Sequence, residues 1–333
     1  MDSVTQAVLG AAVGQAVLGR RLGAKAALLG AVGGTIPDLD MLFVGGADVD
    51  FFVAHRGVSH SLGFGPLLAL PLAWLSRRWR PAIAFAPWWC FWMLVLITHP
   101  LLDLFTNYGT QLLAPFSREP FAIPAVSIID PVYTLMLAGG LFAALRGRYG
   151  LLGAAFVLSS GYLGVCALQN DRAWQLARAQ TALPELRATT TLFSPWLRRV
   201  MAWDEQQLCI GFVSTWHPQP VRWSCLARDP RAAALAVQAE QTEPGAAFAR
   251  FANGARYAFI DRAADGGEEL RIADARFGIP GSTLTGFWGL AVPLQAGELQ
   301  PAQAYRFRRT REVPVGGWAA FWAATWGRPQ TLF

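Results

Sequence analysis

Charge is scarce in this chain: 15% of its 333 residues are Asp, Glu, Lys or Arg, against 53% hydrophobic, with a mean hydropathy of +0.32. That balance is too apolar for an ordinary pair of soluble domains. Cysteine is scarcer still, four in all, and no two stand in C-x-x-C spacing, which argues against a thiolate zinc site or a dithiol redox motif. The opening MDSVTQ has no basic region, and no small-residue cleavage site follows the first apolar run, so no removable signal peptide is expected. Internal repeats and low-complexity tracts are absent, as are the symmetrical halves common in transporters. Nothing in the chain points to a nucleic-acid partner.

What is present is unevenly distributed. From Met1 to about Gln169 charges come in small, separated clusters, whereas from Asp171 onward Arg, Asp and Glu are scattered as on a water-facing surface. The expected organisation is a polytopic α-helical domain embedded in the lipid bilayer over 1–170, then a soluble, mainly β domain over 171–333. Ser61–Ser76, Ala82–Phe105, Pro131–Leu145 and Tyr149–Leu168 are long enough, or nearly so, to cross a hydrocarbon core of about 30 Å. Val4–Gly19 and Ala26–Ile36 are shorter and rich in Gly and Ala, which suits close helix approach in a membrane and equally a half-inserted hairpin. Six spans are therefore expected, the first two short. The basic clusters Arg20, Arg21 and Lys25, then Arg77, Arg78 and Arg80, then Arg146 and Arg148 fall on alternate loops. Basic loops stay cytoplasmic, which assigns Pro37–His60, Thr106–Asp130 and everything after residue 170 to the extracytoplasmic side.

The second half opens with a helical stretch around Asp171–Ala182 and then reads mainly as strands. Gln207–Trp216 and Val221–Arg228 flank the turn His217-Pro218-Gln219-Pro220, and Ala255–Arg262, Glu269–Phe277 and Ala304–Arg309 follow, separated by turns such as Asp265-Gly266-Gly267. Gly317–Trp326 is an aromatic helix that either lies in the headgroup layer or packs on its own domain. Cys90 and Cys166 read as small buried apolar residues. Cys209 and Cys225 are equidistant from His217, so a hairpin sets them opposite one another and a disulfide is expected in an oxidising compartment; the alternative is two unrelated buried thiols.

Three of the four histidines, His55, His60 and His99, lie in the apolar half. His99 and Asp103 stand four residues apart at the end of an apolar run, on one face of a helix. Imidazole and carboxylate both suit zinc and similar divalent ions, and ionisable groups at membrane depth tend to be functional. Pro37-Asp38-Leu39-Asp40 places two carboxylates after a helix that Pro37 ends or kinks. In His55-Arg56-Gly57-Val58-Ser59-His60 the imidazole spacing is wrong for one helix face and right for a loop around a common ion. The expected metal ligands are Asp38, Asp40, His55, His60, His99 and Asp103, around one or two divalent ions, with zinc the leading choice. Arg56, a planar and permanently charged fork, is the candidate for a substrate anion such as a phosphate. Asp130 is either a catalytic or ligand carboxylate or the N-cap of the helix that Pro131 begins, and Asn107 is a candidate polar contact.

MDSVTQAVLGAAVG, PDLD, HRGVSHS, THPLLDLFTNYGTQLLAPFS and SIIDP (Ser127–Pro131) together resemble the signature blocks of the YdjM-like family of inner-membrane proteins, regarded as metal-dependent hydrolases. The resemblance covers about residues 1–170 and implies a bacterial inner-membrane location. In one respect the chain departs from it: many members carry Thr-His near the N-terminus, and here Thr5-Gln6 stands instead. The ligand pattern is also similar, by analogy alone, to zinc-dependent phospholipases C and single-strand nucleases. The expected activity is metal-assisted hydrolysis of a phosphoester or similar bond in a membrane-associated substrate, in which Asp38, Arg56 and Asp130 are the catalytic candidates. The alternatives are a metal-stabilised membrane assembly or regulatory protein without catalysis and, less in keeping with the sequence, an ion transporter.

Overall fold

The computed structural model describes residues 1–42, 55–262, 266–278, 288–299, 306–309 and 317–328. The chain divides into two compact units, one built from Met1–Val44 and Ala54–Ala167, the other running from Leu168 to Phe333.

The first unit is helical. α1 (Ser3–Leu22) is started by Asp2, whose carboxylate accepts from the Val4 and Thr5 amides, and it ends at Gly23 in the left-handed region at φ 61°. α2 (Ala24–Thr35) packs against it backbone to backbone. A Cβ on Gly10 would stand 2.2 Å from the Gly30 carbonyl oxygen and one on Gly34 2.5 Å from that of Gln6, so only glycine allows this approach. A short 3₁₀ helix, Pro37–Leu42, follows, and a second one covers Val58–His60. α3 (Phe64–Trp79) and α4 (Phe85–Asp103) form a pair, and α5 (Pro131–Leu145) and α6 (Tyr149–Arg178) follow the long connection after α4. Trp88, Phe91 and Val95 of α4 are fully buried at the centre with Leu9 and Val13 of α1 and Leu137 of α5.

All six stretches expected to be spans are helical, yet six crossings do not follow. Among the described residues two helices, α4 with 19 residues and α6 with 30, are long and apolar enough to cross a membrane. At 1.5 Å per residue, α2 with 12 residues and α5 with 15 fall short of a hydrocarbon core of about 30 Å. α3 has 16 residues with Pro71 inside, and α1, though 20 residues long, carries Gln6, Gln15, Arg20 and Arg21. The outward faces are nonetheless apolar: α5 buries Tyr133, Leu137, Gly140 and Ala144 and exposes Leu135 and Phe142. The basic clusters meet at one end of the unit, where Arg20 lies over the Tyr149 ring at 5.0 Å and Lys25 over Trp79 at 5.9 Å.

The second unit begins with the last turns of α6 and is mainly β. β1 (Glu185–Thr191), β2 (Ser194–Trp203), β3 (Gln207–Ser214) and β4 (Ser224–Ala227) make an antiparallel sheet in that order. In it Cys209 stands directly opposite Cys225, and the two form a disulfide, as the sequence predicts. Two helices absent from the sequence reading, α7 (Pro230–Ala239) and α8 (Glu243–Ala252), lead to the second sheet. There β5 (Arg256–Arg262), β6 (Glu268–Asp274), β7 (Trp288–Gln295) and β8 (Glu298–Leu299) follow in order, and β9 (Arg306–Arg309) pairs with β7. Met201, Leu208 and Ile210 of the first sheet bury against Tyr257 of the second. The aromatic helix α9 (Gly317–Thr325) packs on its own unit, with Phe321 1% exposed against Leu197 and Phe212. Asp265, Ala304 and Tyr305 lie outside the described residues, as does the side chain of Trp318.

Candidate metal centre

The last turn of α4 carries His99 and Asp103 on one face, as their spacing requires, and both are buried. His99 Nδ1 lies 2.6 Å from the Gly34 carbonyl oxygen and donates to it. That carbonyl is available because it lies in the last turn of α2, which ends at Thr35 ahead of Pro37, and Gly10, Gly30 and Gly34 set the position of α2 against α1. His60, on the second 3₁₀ helix, sets its Nδ1 2.9 Å from Ser59 Oγ, and that hydroxyl donates in turn to Asp40 Oδ2 at 2.6 Å. The first 3₁₀ helix, begun by Pro37, brings Asp38 to the same point.

The reactive edges of three side chains converge. His60 Nε2 and His99 Nε2 are 3.1 Å apart, and Asp38 Oδ1 lies 3.4 Å from the first and 3.3 Å from the second. With each Nδ1 engaged as a donor, both Nε2 atoms present lone pairs to each other, an arrangement that needs a proton or a cation between them. Ligands around tetrahedral zinc, at about 2.0–2.1 Å from the ion, lie about 3.3 Å from one another, which is the spacing found here. The donor set therefore fits a divalent ion held by Asp38, His60 and His99. A second partner fixes the Nδ1 of each imidazole, as is usual for metal-ligating histidines. Without an ion, burial opposes ionisation of Asp38, but its bonds to His60 and His99 outweigh this and hold the carboxyl well below the usual range. Burial likewise disfavours the charged form of His60, yet Asp38 and Asp40 raise its pKa above the ordinary histidine value.

Asp103 borders this group. Its Oδ1 is taken by the Met1 amino nitrogen and by Gln6 Nε2 at 3.0 Å. Its Oδ2 is 3.1 Å from Arg56 Nε and 3.5 and 3.6 Å from the Nε2 atoms of His60 and His99, with no hydrogen bond of good geometry. Gln6 is buried there too, and its Oε1 has no hydrogen-bond partner.

Arg56 is 3% exposed: it donates to Thr106 Oγ1 at 2.8 Å, faces Asp103 and lies over the Tyr108 ring at 4.6 Å. Its guanidinium, expected from the sequence to meet a substrate anion such as a phosphate, forms part of the wall of the centre and is engaged by Asp103, Thr106 and Tyr108. Its backbone φ is 66°.

His55 and Asp40 flank the group on its more open side. His55 Nδ1 is 2.9 Å from Asp40 Oδ1 and its Nε2 is 3.9 Å from Asp38 Oδ1. Burial opposes ionisation of Asp40, but bonds from His55, His60 and Ser59 prevail and hold its pKa well below the usual range. Asp130 is engaged elsewhere: it caps α5 through the Tyr133 amide and accepts from the Tyr162 hydroxyl at 2.9 Å. Asn107 lies in the bend after α4, next to Thr106. Ser59, Gly34, Thr106 and Tyr108 join the centre beyond the residues expected from the sequence. Ser59 was signalled by its place inside HRGVSHS, whereas nothing local marks the Gly34 carbonyl.

The family model for the YdjM inner membrane protein matches residues 1–173, a stretch that includes every residue of this centre. The chain belongs to the YdjM inner membrane protein family. Among curated relatives, the uncharacterized protein YfhP of Bacillus subtilis (strain 168) is 28% identical over 138 residues, 39% of this chain and 42% of that protein. Inner membrane protein YbcI of Escherichia coli (strain K12) is 36% identical over 92 residues, 27% of this chain and 53% of that protein. The chain thus spans about half the length of the curated relatives it matches. No solved structure matches this YdjM-family chain.

Proposed function

We propose that this YdjM-family chain is an inner-membrane, metal-dependent hydrolase acting on a phosphoester or similar bond of a membrane-associated substrate, with zinc the preferred ion. The observation that carries this reading is the approach of His60 Nε2 and His99 Nε2 to 3.1 Å with Asp38 Oδ1 beside both. When bound, a divalent ion polarises a phosphoryl oxygen and activates water near neutral pH. Asp38, His60 and His99 would hold it. Ser59 and Asp40 fix the His60 ring, and the Gly34 carbonyl fixes that of His99. Arg56 balances the charge of Asp103 and keeps a cation at the wall of the centre. His55, paired to Asp40 on the more open side, is the group suited to take or return a proton. Asp130 fixes the start of α5.

The first unit is multi-pass, with α4 and α6 as its principal crossings. The apolar exposed faces support this, among them Leu135 at 70% and Val157 at 73%. The basic clusters gather at the cytoplasmic end, which leaves the metal centre and the second unit on the extracytoplasmic side. The Cys209–Cys225 disulfide agrees with an oxidising compartment there.

The test is purification in lipid nanodiscs, measurement of bound metal, and assay of bis(p-nitrophenyl) phosphate turnover. Bound zinc and turnover, both lost in His99→Ala, are expected. A fully metal-free protein that takes up no added zinc would sink the reading.

A further inference from the structure

Among the described residues of the centre, solvent reaches the side chains of Asp38, Asp40 and His55 and not the two buried imidazoles. His60 and His99 are 0% and 1% exposed, whereas the side chains of Asp38, Asp40 and His55 reach 13–16%. The segments that bear those groups also carry apolar side chains turned outward: Leu39 at 45%, Met41 at 43% and Leu42 at 76% on the first 3₁₀ helix, and Val58 at 55% on the second. A third segment is tied to this border, because the Gln111 amide donates to the Arg56 carbonyl and the Leu62 amide to the Leu112 carbonyl. It continues into Leu113 at 48% and Phe116 at 97% exposed, with the exposed cation Arg118 two residues on.

Scattered exposed apolar residues need no explanation, but a group of them around the mouth of one polar site does. Its depth is fixed by α4, a helix of spanning length whose last residue, Asp103, stands at the centre itself. The mouth therefore lies where an apolar helix ends, at the level where hydrocarbon gives way to headgroups. Aromatic, aliphatic and basic side chains together suit that layer, Phe116 toward the acyl chains and Arg118 toward lipid phosphates.

We infer that the rim formed by Leu39, Met41, Leu42, Val58, Leu113 and Phe116 is seated in the headgroup layer and that the centre takes an amphiphile. Its phosphate-bearing head meets Asp38, His60 and His99, and its apolar chain lies along the rim. The identity of the head rests on the hydrolase reading above; the seating of the rim does not.

Two measurements on the full chain in phospholipid nanodiscs test this. In a Cys90→Ala, Cys166→Ala background, nitroxide labels are attached at Leu42→Cys, Val58→Cys and Phe116→Cys, with Gln241→Cys as a water reference. The rim labels are expected to collide with oxygen more than with a nickel chelate, and the reference label the reverse. Binding of ethylphosphonate and dodecylphosphonate is then compared in zinc-loaded and metal-free protein. A zinc-dependent gain of about tenfold or more for the longer chain is expected, and Leu42→Ser with Phe116→Ser should flatten it. Rim labels as nickel-accessible as the reference, or equal affinity for the two phosphonates, overturn the inference. Turnover of bis(p-nitrophenyl) phosphate without a chain-length gain leaves the hydrolase reading standing and removes this one. A chain-length gain without turnover of any ester does the opposite.

Discussion

Ser59 bridges Asp40 and His60: its hydroxyl donates to Asp40 Oδ2 at 2.6 Å and receives His60 Nδ1 at 2.9 Å. Since this contact fixes which ring nitrogen of His60 faces the centre, Ser59→Ala should weaken zinc binding about tenfold or more without unfolding the protein. Competition with a calibrated chelator measures this, and an affinity equal to wild type would remove Ser59 from the centre.

Asp38→Ala, His60→Ala and His99→Ala should each lose most bound zinc, because each removes one of three converging donors. Asp130→Asn should keep it, since that carboxylate is occupied by the Tyr133 amide and the Tyr162 hydroxyl. Elemental analysis of the purified variants distinguishes the two groups, and loss of zinc in Asp130→Asn would bring that residue back to the ion.

Metal affinity should fall with falling pH, starting above the ordinary histidine range. In the metal-free protein the pKa of His60 is raised, so the protonated ring persists to higher pH than usual and an incoming ion must displace that proton. Calorimetry in buffers of different ionisation enthalpy should therefore record proton release on zinc binding near neutral pH. A binding enthalpy independent of buffer would contradict it.

A Gly10→Leu or Gly30→Val substitution should act on the centre from a distance. Neither glycine touches the ion-binding group, but a side chain at either forces α1 and α2 apart, and with them the Gly34 carbonyl that holds His99. Such overpacking costs about 1–3 kcal/mol. Reduced thermal stability together with reduced zinc content is the expected result, and the site would be independent of this helix contact if zinc content stayed intact.

In protein isolated from its native membrane, Cys209 and Cys225 should resist alkylation until reduced. Removing the bridge returns conformational freedom to a short loop in the unfolded chain and should cost about 3 kcal/mol. Free thiols at both positions would contradict the extracytoplasmic placement as well.

Much of the centre was legible because its parts are local. The spacing of His99 and Asp103 on a helix, the break at Pro37 and the glycine in HRGVSH each bear on the backbone near them. How those pieces share the work was not legible. Asp103 spends one oxygen on Gln6 and Met1 and turns the other to Arg56, contacts between segments with no common period. Arg56 faces inward because of a backbone turn that its neighbours do not announce.

In the second unit, α7 and α8 did carry signals, Asp229 before Pro230 and Thr242 before Glu243-Pro244. The hairpin between β1 and β2 carried none of the usual ones, since the residue at positive φ in its turn is Phe193 rather than Gly or Asn. The span count failed for a different reason: apolar composition marks a helix as buried in something, and it does not say whether lipid or other helices do the burying.

The conformation of Arg56 sets two properties of the chain against each other. At φ 66° it occupies the left-handed region, which costs an L-residue about 1–2 kcal/mol. Glycine would adopt that backbone freely, yet it would leave Asp103 without its guanidinium partner. Lysine would keep a charge and the strain but lose the planar fork that reaches Asp103 and Thr106 together. Tolerance at position 56 is thus narrow from both directions: the residue easiest for the backbone is the worst for the charge balance, and a chain optimised for folding alone would not hold arginine there.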